Sequence, residues 1–477
     1  MSRTQRESLL IALAAAVAGL WLLPISSSLW IDEAGSWWVI RDGFLPTVER
    51  SIDATGQSPL YYVLLWAWTR VGGTTELALR APSLIGAAIA ALLLWRLGRK
   101  QIDGEAALLA TIAFVTLGGF GSVAFSAADA RPYALGLAFV VGSTLALVRW
   151  VDTPRARTAA VYALLLLGAI YTVYTYAIIA LGHAIFLWLG TRRKTLPTRQ
   201  IVVTALALGA ALAPALAHLV TILRRPNIFE SGSSIFSTSR LVTVAVIVFA
   251  AMVGFAFPSS SRRFRLPRSR PGTIPMLAGW AILPLAILLV LAILVAPKFF
   301  YARYYLAAMP GFALIVGWLL AGLTETGARI TMALTIVALA LITYAGPHHT
   351  PEDWRSAAAH IKATDQSALV LLRSGFAGSK PDRLADPQVI GLVRSPLDYY
   401  HVERDIELLP FRLDNDAGAH IDALLARRLD ERVTVVLVTR APFLGIDGFV
   451  DERLHMEGFR STTALEGAVR VVIYRRS

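Results

Sequence analysis

The sequence has no cysteine. That excludes a disulfide framework, a thiolate zinc site and a cysteine nucleophile, and it fits any compartment. Charge is also scarce. Asp, Glu, Lys and Arg make up 16% of the 477 residues, against ~25% in an ordinary soluble domain. The C-terminal third lacks a nucleotide-binding glycine fingerprint. There is no internal repeat and no low-complexity linker. A soluble enzyme built around a nucleotide or a redox thiol is therefore a poor fit.

Apolar residues make up 56% of the chain, and the mean hydropathy is +0.59. Several runs approach or exceed the ~20 residues needed to cross a bilayer. The chain reads as a polytopic α-helical membrane protein, with spans at 8–29, 81–97, 105–125, 132–150, 158–174, 176–190, 200–222, 241–257, 274–296, 304–322 and 329–346. The opening "MSRTQRESLLIALAAAVAGLWLLP" has the basic start of a signal peptide. Its run is long and enters an acidic loop without a small-residue cleavage site, so it reads as a retained first span. The net charge of +13 does not form one patch, as a nucleic-acid surface would; it lies in short loops between spans. With a cytoplasmic N-terminus, Arg96, Arg99 and Lys100, then Arg149, Arg155 and Arg157, then Arg192, Arg193, Lys194 and Arg199, and finally "SRRFRLPRSR" fall inside. Only Arg224, Arg225 and Arg240 disagree. The first loop, 30–80, then faces outward from a cell inner (plasma) membrane.

From 347 the pattern changes. "ALVLL", "IELLP", "VTVVLVT", "GFRSTTAL" and "AVRVVIYRR" read as strands, separated by helical segments such as "AGAHIDALLARRLDER". Residues 347–477 are expected to form an extracytoplasmic α/β domain after a membrane domain over 1–346. In "TPEDWRSAAAHIK", Thr350 and Asp353 have the spacing of a capping box.

"SSLWIDEAGSWW", Ser27 to Trp38, sets Asp32 and Glu33 beside three tryptophans at the end of an apolar run. Charge near a bilayer is expensive and needs a reason. Adjacent side chains diverge by about 100° on a helix, so the two acids should have different jobs, one facing substrate and the other holding the loop or pairing with a base. Two further loops open on the same face. One is "FSAADARPYAL", with Asp129 and Arg131. The other is "APKFFYARYYLAAMPG", with Lys298, Arg303 and Tyr304. A carboxylate among basic groups suits transfer chemistry: the acid takes a proton from an acceptor hydroxyl, and the bases hold a phosphate leaving group. "PLYYVLLWAWTRVGG" is shorter than a span and reads as an interfacial helix.

In these stretches the sequence resembles the GT-C membrane glycosyltransferases, specifically the glycosyltransferase family 39-like group. That group includes dolichyl-phosphate-mannose protein mannosyltransferases and bacterial aminoarabinose transferases acting on lipid A. The matching pieces are "WIDEAGSWW", "SPLYYVLLWAWTRVGGTTELALRAPSLIGAAIAALLLWRLGRK", "SAADARPYALGLA", "ARYYLAAMP" and "EDWRSAAAHIK". The resemblance implies GT-C architecture and an inverting transfer of a sugar from a polyprenyl-phosphate donor, outside the cytoplasm, to a lipid, polysaccharide or protein acceptor. It implies that Asp32 is the general base, supported by Glu33, with Asp129 as the acid of the second loop. Arg131, Tyr133, Lys298, Arg303 and Tyr304 would line the donor phosphate pocket, and Tyr61 of "SPLYY" would contact substrate. One departure stands out. Many relatives read His-Pro-Pro before Leu-Tyr-Tyr, whereas this chain has Gln57 and Ser58.

No cofactor is expected. The alternative is a divalent cation shared by Asp32 and Asp129, or zinc at His348, His349 and Asp353. His183 and His218 lie inside apolar spans and read as packing residues. The competing functional readings are a lipid-linked saccharide transporter and an O-antigen-type polymerase or ligase. A transporter places its ionisable groups near the midplane rather than at loop level.

Overall fold

A computed structural model describes residues 3–55, 57–116, 123–192, 196–224, 265–294, 302–344, 349–376, 379–429, 433–441, 443 and 445–476. Four of the described helices are long and apolar enough to cross a membrane: Glu76–Gln101, Tyr133–Asp152, Thr198–Ile222 and Thr273–Leu294. Shorter apolar helices cover Ile11–Leu22, Gly104–Thr116, Ala156–Thr172, Tyr174–Trp188, Leu306–Ala321 and Thr326–Ala338. Each expected span falls on one of these except 241–257, which lies outside the described residues, as does the expected domain boundary at 346/347.

Tyr133–Asp152 packs against both Glu76–Gln101 and Ala156–Thr172. The approach is close where Gly86 faces Leu135: a Cβ at Gly86 would stand 2.6 Å from the Leu135 Cα. The stretch expected to begin a span at 304 opens instead with two short 3-10 turns, Ala302–Tyr304 and Leu306–Ala308, before the helix Met309–Ala321. Pro310 lies in that helix's first turn, where its missing N–H costs nothing. Arg303 is thereby carried on a turn rather than a helix face.

Between the first apolar helix and Glu76–Gln101 lie three short helices, Ile31–Ile40, Phe44–Asp53 and Pro59–Gly72. The last is the expected "PLYYVLLWAWTRVG" helix, started by Pro59 and ended before Gly73, whose φ is 77°.

The C-terminal region holds a five-stranded sheet. Its strands are β1 (Leu369–Arg373), β2 (Asp405–Leu408), β3 (Thr434–Arg440), β4 (Phe459–Leu465) and β5 (Val469–Arg476), in the order β2-β1-β3-β5-β4. β1 pairs in parallel with β2 and β3, and β5 runs antiparallel to β3 and β4. Val370, Leu372, Val436 and Val438 pack toward Trp354–Lys362 and Pro387–Tyr399. Leu369, Leu371, Val435 and Leu437 pack toward Asn415–Arg428 and Ile446–Met456. Helices on both faces explain why the apolar runs Leu369–Leu372 and Val435–Val438 are continuous rather than alternating. One local expectation fails: Asp353, not Thr350, caps the helix, its Oδ1 accepting the Ser356 N–H at 3.0 Å. Thr350 instead accepts from the Glu352 N–H at 3.4 Å, which turns the chain into the cap.

This domain docks on the segment between the first apolar helix and Glu76–Gln101. Pro387–Tyr399 packs along Ile31–Ile40. The Tyr400 hydroxyl accepts the Leu29 N–H at 2.9 Å, and Arg355 pairs with Glu76 at 2.8 Å.

Candidate active site

Ile31–Ile40 begins where Glu352 accepts the Ile31 N–H at 3.1 Å. Asp32 and Glu33 sit in its first turn, where the helix dipole favours negative charge. Their side chains diverge as adjacent helical positions must. Glu33 is fully buried. It takes Arg80 as a fork, Nε to Oε1 at 2.7 Å and Nη2 to Oε2 at 2.6 Å, together with the Ala130 N–H at 2.9 Å and the Trp30 N–H at 3.3 Å. Arg80 gives its remaining hydrogens to the carbonyls of Ile25 and Ser27, both at 2.8 Å, and of Ser28 at 3.1 Å. One ion pair thus joins the end of the first apolar helix, the acidic helix and the loop that carries Ala130. Burial pushes the Glu33 carboxyl up, but Arg80 outweighs it and holds the group below the usual range.

Asp32 faces the other way and keeps 32% of its side chain exposed. Arg303 donates to its Oδ2 at 3.2 Å, and Arg131 Nη2 stands 3.8 Å from the same oxygen. Arg131 also donates to the Asp32 carbonyl at 3.3 Å. Desolvation would raise the Asp32 pKa. The positive charges of Arg131, Arg303 and Arg440 prevail, so the carboxyl lies below its ordinary value. Arg303 lies over the Tyr304 ring at 5.7 Å, and Arg131 lies 6.0 Å from the Tyr133 ring. Tyr61 is fully buried beside Tyr62, ring centroids 5.3 Å apart. Tyr62 is the tyrosine that reaches Arg131, accepting from Nη1 at 3.5 Å and donating to Gln57 Oε1 at 2.8 Å. At the departure from the family pattern, then, Gln57 orients Tyr62, and Ser58 donates to the Tyr171 carbonyl.

Asp129 is buried behind this surface. Its Oδ1 accepts the Trp30 indole N–H at 3.0 Å, and His349 Nε2 lies 3.6 Å away, its ring stacked on Phe125 at 4.1 Å. Burial raises the Asp129 pKa, with His349 opposing. Lys298 lies outside the described residues. Asp32, Glu33, Asp129, Arg131 and Arg303 therefore meet across three loops, with Asp32 held by Arg303 and Arg131 and Asp129 by Trp30 beside His349.

Ligand atoms of Glu33, Asp129 and His349 lie within 4.8 Å of one another, a spacing compatible with a divalent cation. The chemistry of the set fits poorly. Both Glu33 oxygens are committed to Arg80, and a cation there would face that guanidinium. Of the alternative zinc set, Asp353 caps a helix, His349 stands beside Asp129, and His348 lies outside the described residues. His183 bonds Thr144 at 2.9 Å and His218 bonds Tyr174 at 2.8 Å.

Arg80, Tyr62, Glu352 and Arg440 were not singled out in the sequence. Arg80 was visible as a cation one turn into an apolar helix, a position that needs an acidic partner. Glu352 and Arg440 gave no local signal, because their partners are 321 and 88 residues away.

Residues 56–219 match the family described as dolichyl-phosphate-mannose-protein mannosyltransferase. No curated protein matches the chain. The structure is similar to ArnT from Cupriavidus metallidurans bound to undecaprenyl phosphate, with a TM-score of 0.58 and 12% identity over 99% of this chain and 98% of that one. The apo state of the same protein gives 0.52, at the same identity and coverage. The chain has the GT-C fold, and its residues 56–219 are similar to that mannosyltransferase family. An oligosaccharyltransferase of Archaeoglobus fulgidus is fainter, at 0.47 and 14% identity over 90% of this chain and 67% of that one. The GT-C frame accounts for the many apolar helices and the small sheet domain that follows them.

Proposed function

We propose that this GT-C protein transfers a sugar from a polyprenyl-phosphate donor to an acceptor hydroxyl at the outer membrane surface, with inversion. The observation that carries the reading is Asp32: a partly exposed carboxylate held ionised between Arg131 and Arg303, where three outer loops meet. Asp32 takes the proton of the acceptor hydroxyl, and that oxygen forms a bond to the anomeric carbon. The bond from that carbon to the phosphate oxygen breaks, and the electron pair leaves on the phosphate. Arg131 and Arg303 offset the charge that develops there. The products are the glycosylated acceptor and polyprenyl phosphate, and the proton on Asp32 passes to water. A single displacement inverts the carbon. It is favoured because Glu33 is bound by Arg80 and Asp129 by the Trp30 indole, so neither of these neighbouring carboxylates is placed as a second nucleophile. Undecaprenyl phosphate in the ArnT structure supports a lipid phosphate as the leaving group. Acceptor identity and donor sugar are the variables that the site leaves to experiment.

The test is single-turnover transfer by purified protein, using a panel of labelled polyprenyl-phosphate sugars and a membrane-lipid extract as acceptor. Asp32→Asn should lose at least about a hundredfold in rate, the usual contribution of a positioned base, while still binding donor. Equal rates in mutant and wild type would move the base elsewhere. Saccharide crossing proteoliposomes without transfer would favour a transporter.

A further inference from the structure

Arg440 is the last residue of β3, at the carboxyl ends of the parallel strands. β1 and β3 lie at the switch point of the sheet. The chain leaves β1 for β2 on one side, returns to β3 on the other, and the intervening helices cover opposite faces. Ligands of open α/β sheets bind outside the strand ends at such a point. Here that edge meets the acidic helix through one carboxylate. Glu352 Oε1 accepts Arg440 Nε at 2.8 Å, and its Oε2 accepts the N–H of Ile31, the residue before Asp32. Trp354 Nε1 donates to the same Oε2 at 2.9 Å.

Arg440 is held at two points and open at the rest. Its carbonyl accepts from the buried Arg373 guanidinium, and its Nε is bound by Glu352. Neither terminal nitrogen has a hydrogen-bond partner among the described residues, and 21% of the side chain is exposed. Space is kept for it: Gly375, with φ 77°, would place a Cβ 3.1 Å from Arg440 Nη1. The charge of Arg440 also acts on Asp32. Three guanidinium groups, those of Arg131, Arg303 and Arg440, face two carboxylates, Asp32 and Glu352.

Building on the reading above, we propose that Arg440 is a substrate-binding residue whose two free terminal nitrogens hold the phosphate of the lipid-linked donor, so that the C-terminal domain completes the active site. A planar fork with its Nε already fixed is preorganised to take two phosphate oxygens. Glu352 is its positioning residue.

The experiment measures binding of undecaprenyl phosphate to the purified full-length protein in nanodiscs, comparing wild type with Arg440→Gln, Arg440→Lys and Arg131→Gln. Thermal melting runs alongside to show that each variant is folded. Arg440→Gln should weaken Kd at least tenfold, and Arg440→Lys should recover part of the loss by keeping the charge without the fork. The salt dependence of binding should also flatten in Arg440→Gln, a change that a purely structural role would not produce. Wild-type affinity in a folded Arg440→Gln protein, with loss in Arg131→Gln, would overturn the role of Arg440 and leave the transfer reading intact. If Arg440→Gln melts early, the lysine variant decides: affinity equal to wild type overturns the fork. No binding by wild type would overturn the donor assignment, and this proposal with it.

Discussion

Arg80 and Glu33 form a forked ion pair in which neither side chain is exposed. Two desolvated charges are tolerable only while each satisfies the other, and Arg80 spends its remaining hydrogens on the carbonyls of Ile25, Ser27 and Ser28. Removing one partner leaves a bare charge in the interior. Arg80→Ala or Glu33→Ala should therefore cost about 3–5 kcal/mol, seen as a large drop in melting temperature in detergent. Arg80→Lys should recover little, since an ammonium cannot make the fork. Acid should weaken the same joint. The folded pKa of Glu33 is depressed, so its stabilisation is present above the ordinary carboxylate range and lost as pH falls through the folded value. A melting temperature unchanged in Arg80→Ala would remove this pair from the scaffold.

Asp32 carries the pH dependence of the proposed chemistry. A base works only when ionised, so the acid limb of the rate profile follows the Asp32 pKa, which lies below the ordinary value. Arg303→Gln removes one of the charges that outweigh desolvation. The limb should then move toward higher pH, because less positive charge opposes the desolvation of Asp32. Arg303→Lys keeps the charge and should leave the limb near its wild-type position. A limb that stays fixed in Arg303→Gln would show that another group controls it.

Asp129 makes a different prediction because burial raises its pKa. An asparagine keeps an oxygen for the Trp30 indole N–H and removes a charge that the site disfavours. Asp129→Asn should therefore melt within about 1 kcal/mol of wild type. Asp129→Ala leaves the indole donor unsatisfied and should cost about 1–3 kcal/mol. Equal losses in the two variants would mean that the charge of Asp129, not its hydrogen bond, holds Trp30.

Local pattern carried much of the fold. Apolar runs long enough to span marked the helices, and strands alternating with helical segments marked the C-terminal α/β domain. Asp32 and Glu33 drew attention because acids at a membrane boundary need a reason, and their adjacency alone required the side chains to part. What sequence could not supply was partnership at a distance. Arg80 reaches Glu33 across 47 residues, and Arg440 reaches Glu352 across 88. No spacing rule links such pairs, because the fold creates them. The Tyr61–Tyr62 doublet shows the same limit at short range. The sequence pointed to Tyr61, but it is its equally buried neighbour Tyr62 whose hydroxyl accepts from Arg131.

Gly391 decides how closely the C-terminal domain can approach the acidic helix. A Cβ at this position would stand 2.2 Å from Trp38 Nε1 and 2.6 Å from its Cε2, a clash with a rigid ring that is itself buried. Trp38 has no easy escape, since the Arg50 guanidinium covers it at 4.6 Å and Arg50 Nη1 binds its carbonyl at 2.7 Å. Gly391→Ala must therefore push Pro387–Tyr399 away from Ile31–Ile40, straining the link through which Glu352 holds the Ile31 N–H. Overpacking of this kind costs about 1–3 kcal/mol. The expected result is a protein whose C-terminal domain becomes easier for a protease to remove, and whose transfer rate falls although no site residue has changed. Pairing Gly391→Ala with Trp38→Leu frees the space and should restore most of the loss. Protease resistance and rate equal to wild type in Gly391→Ala alone would mean that the two helices can separate without disturbing Asp32.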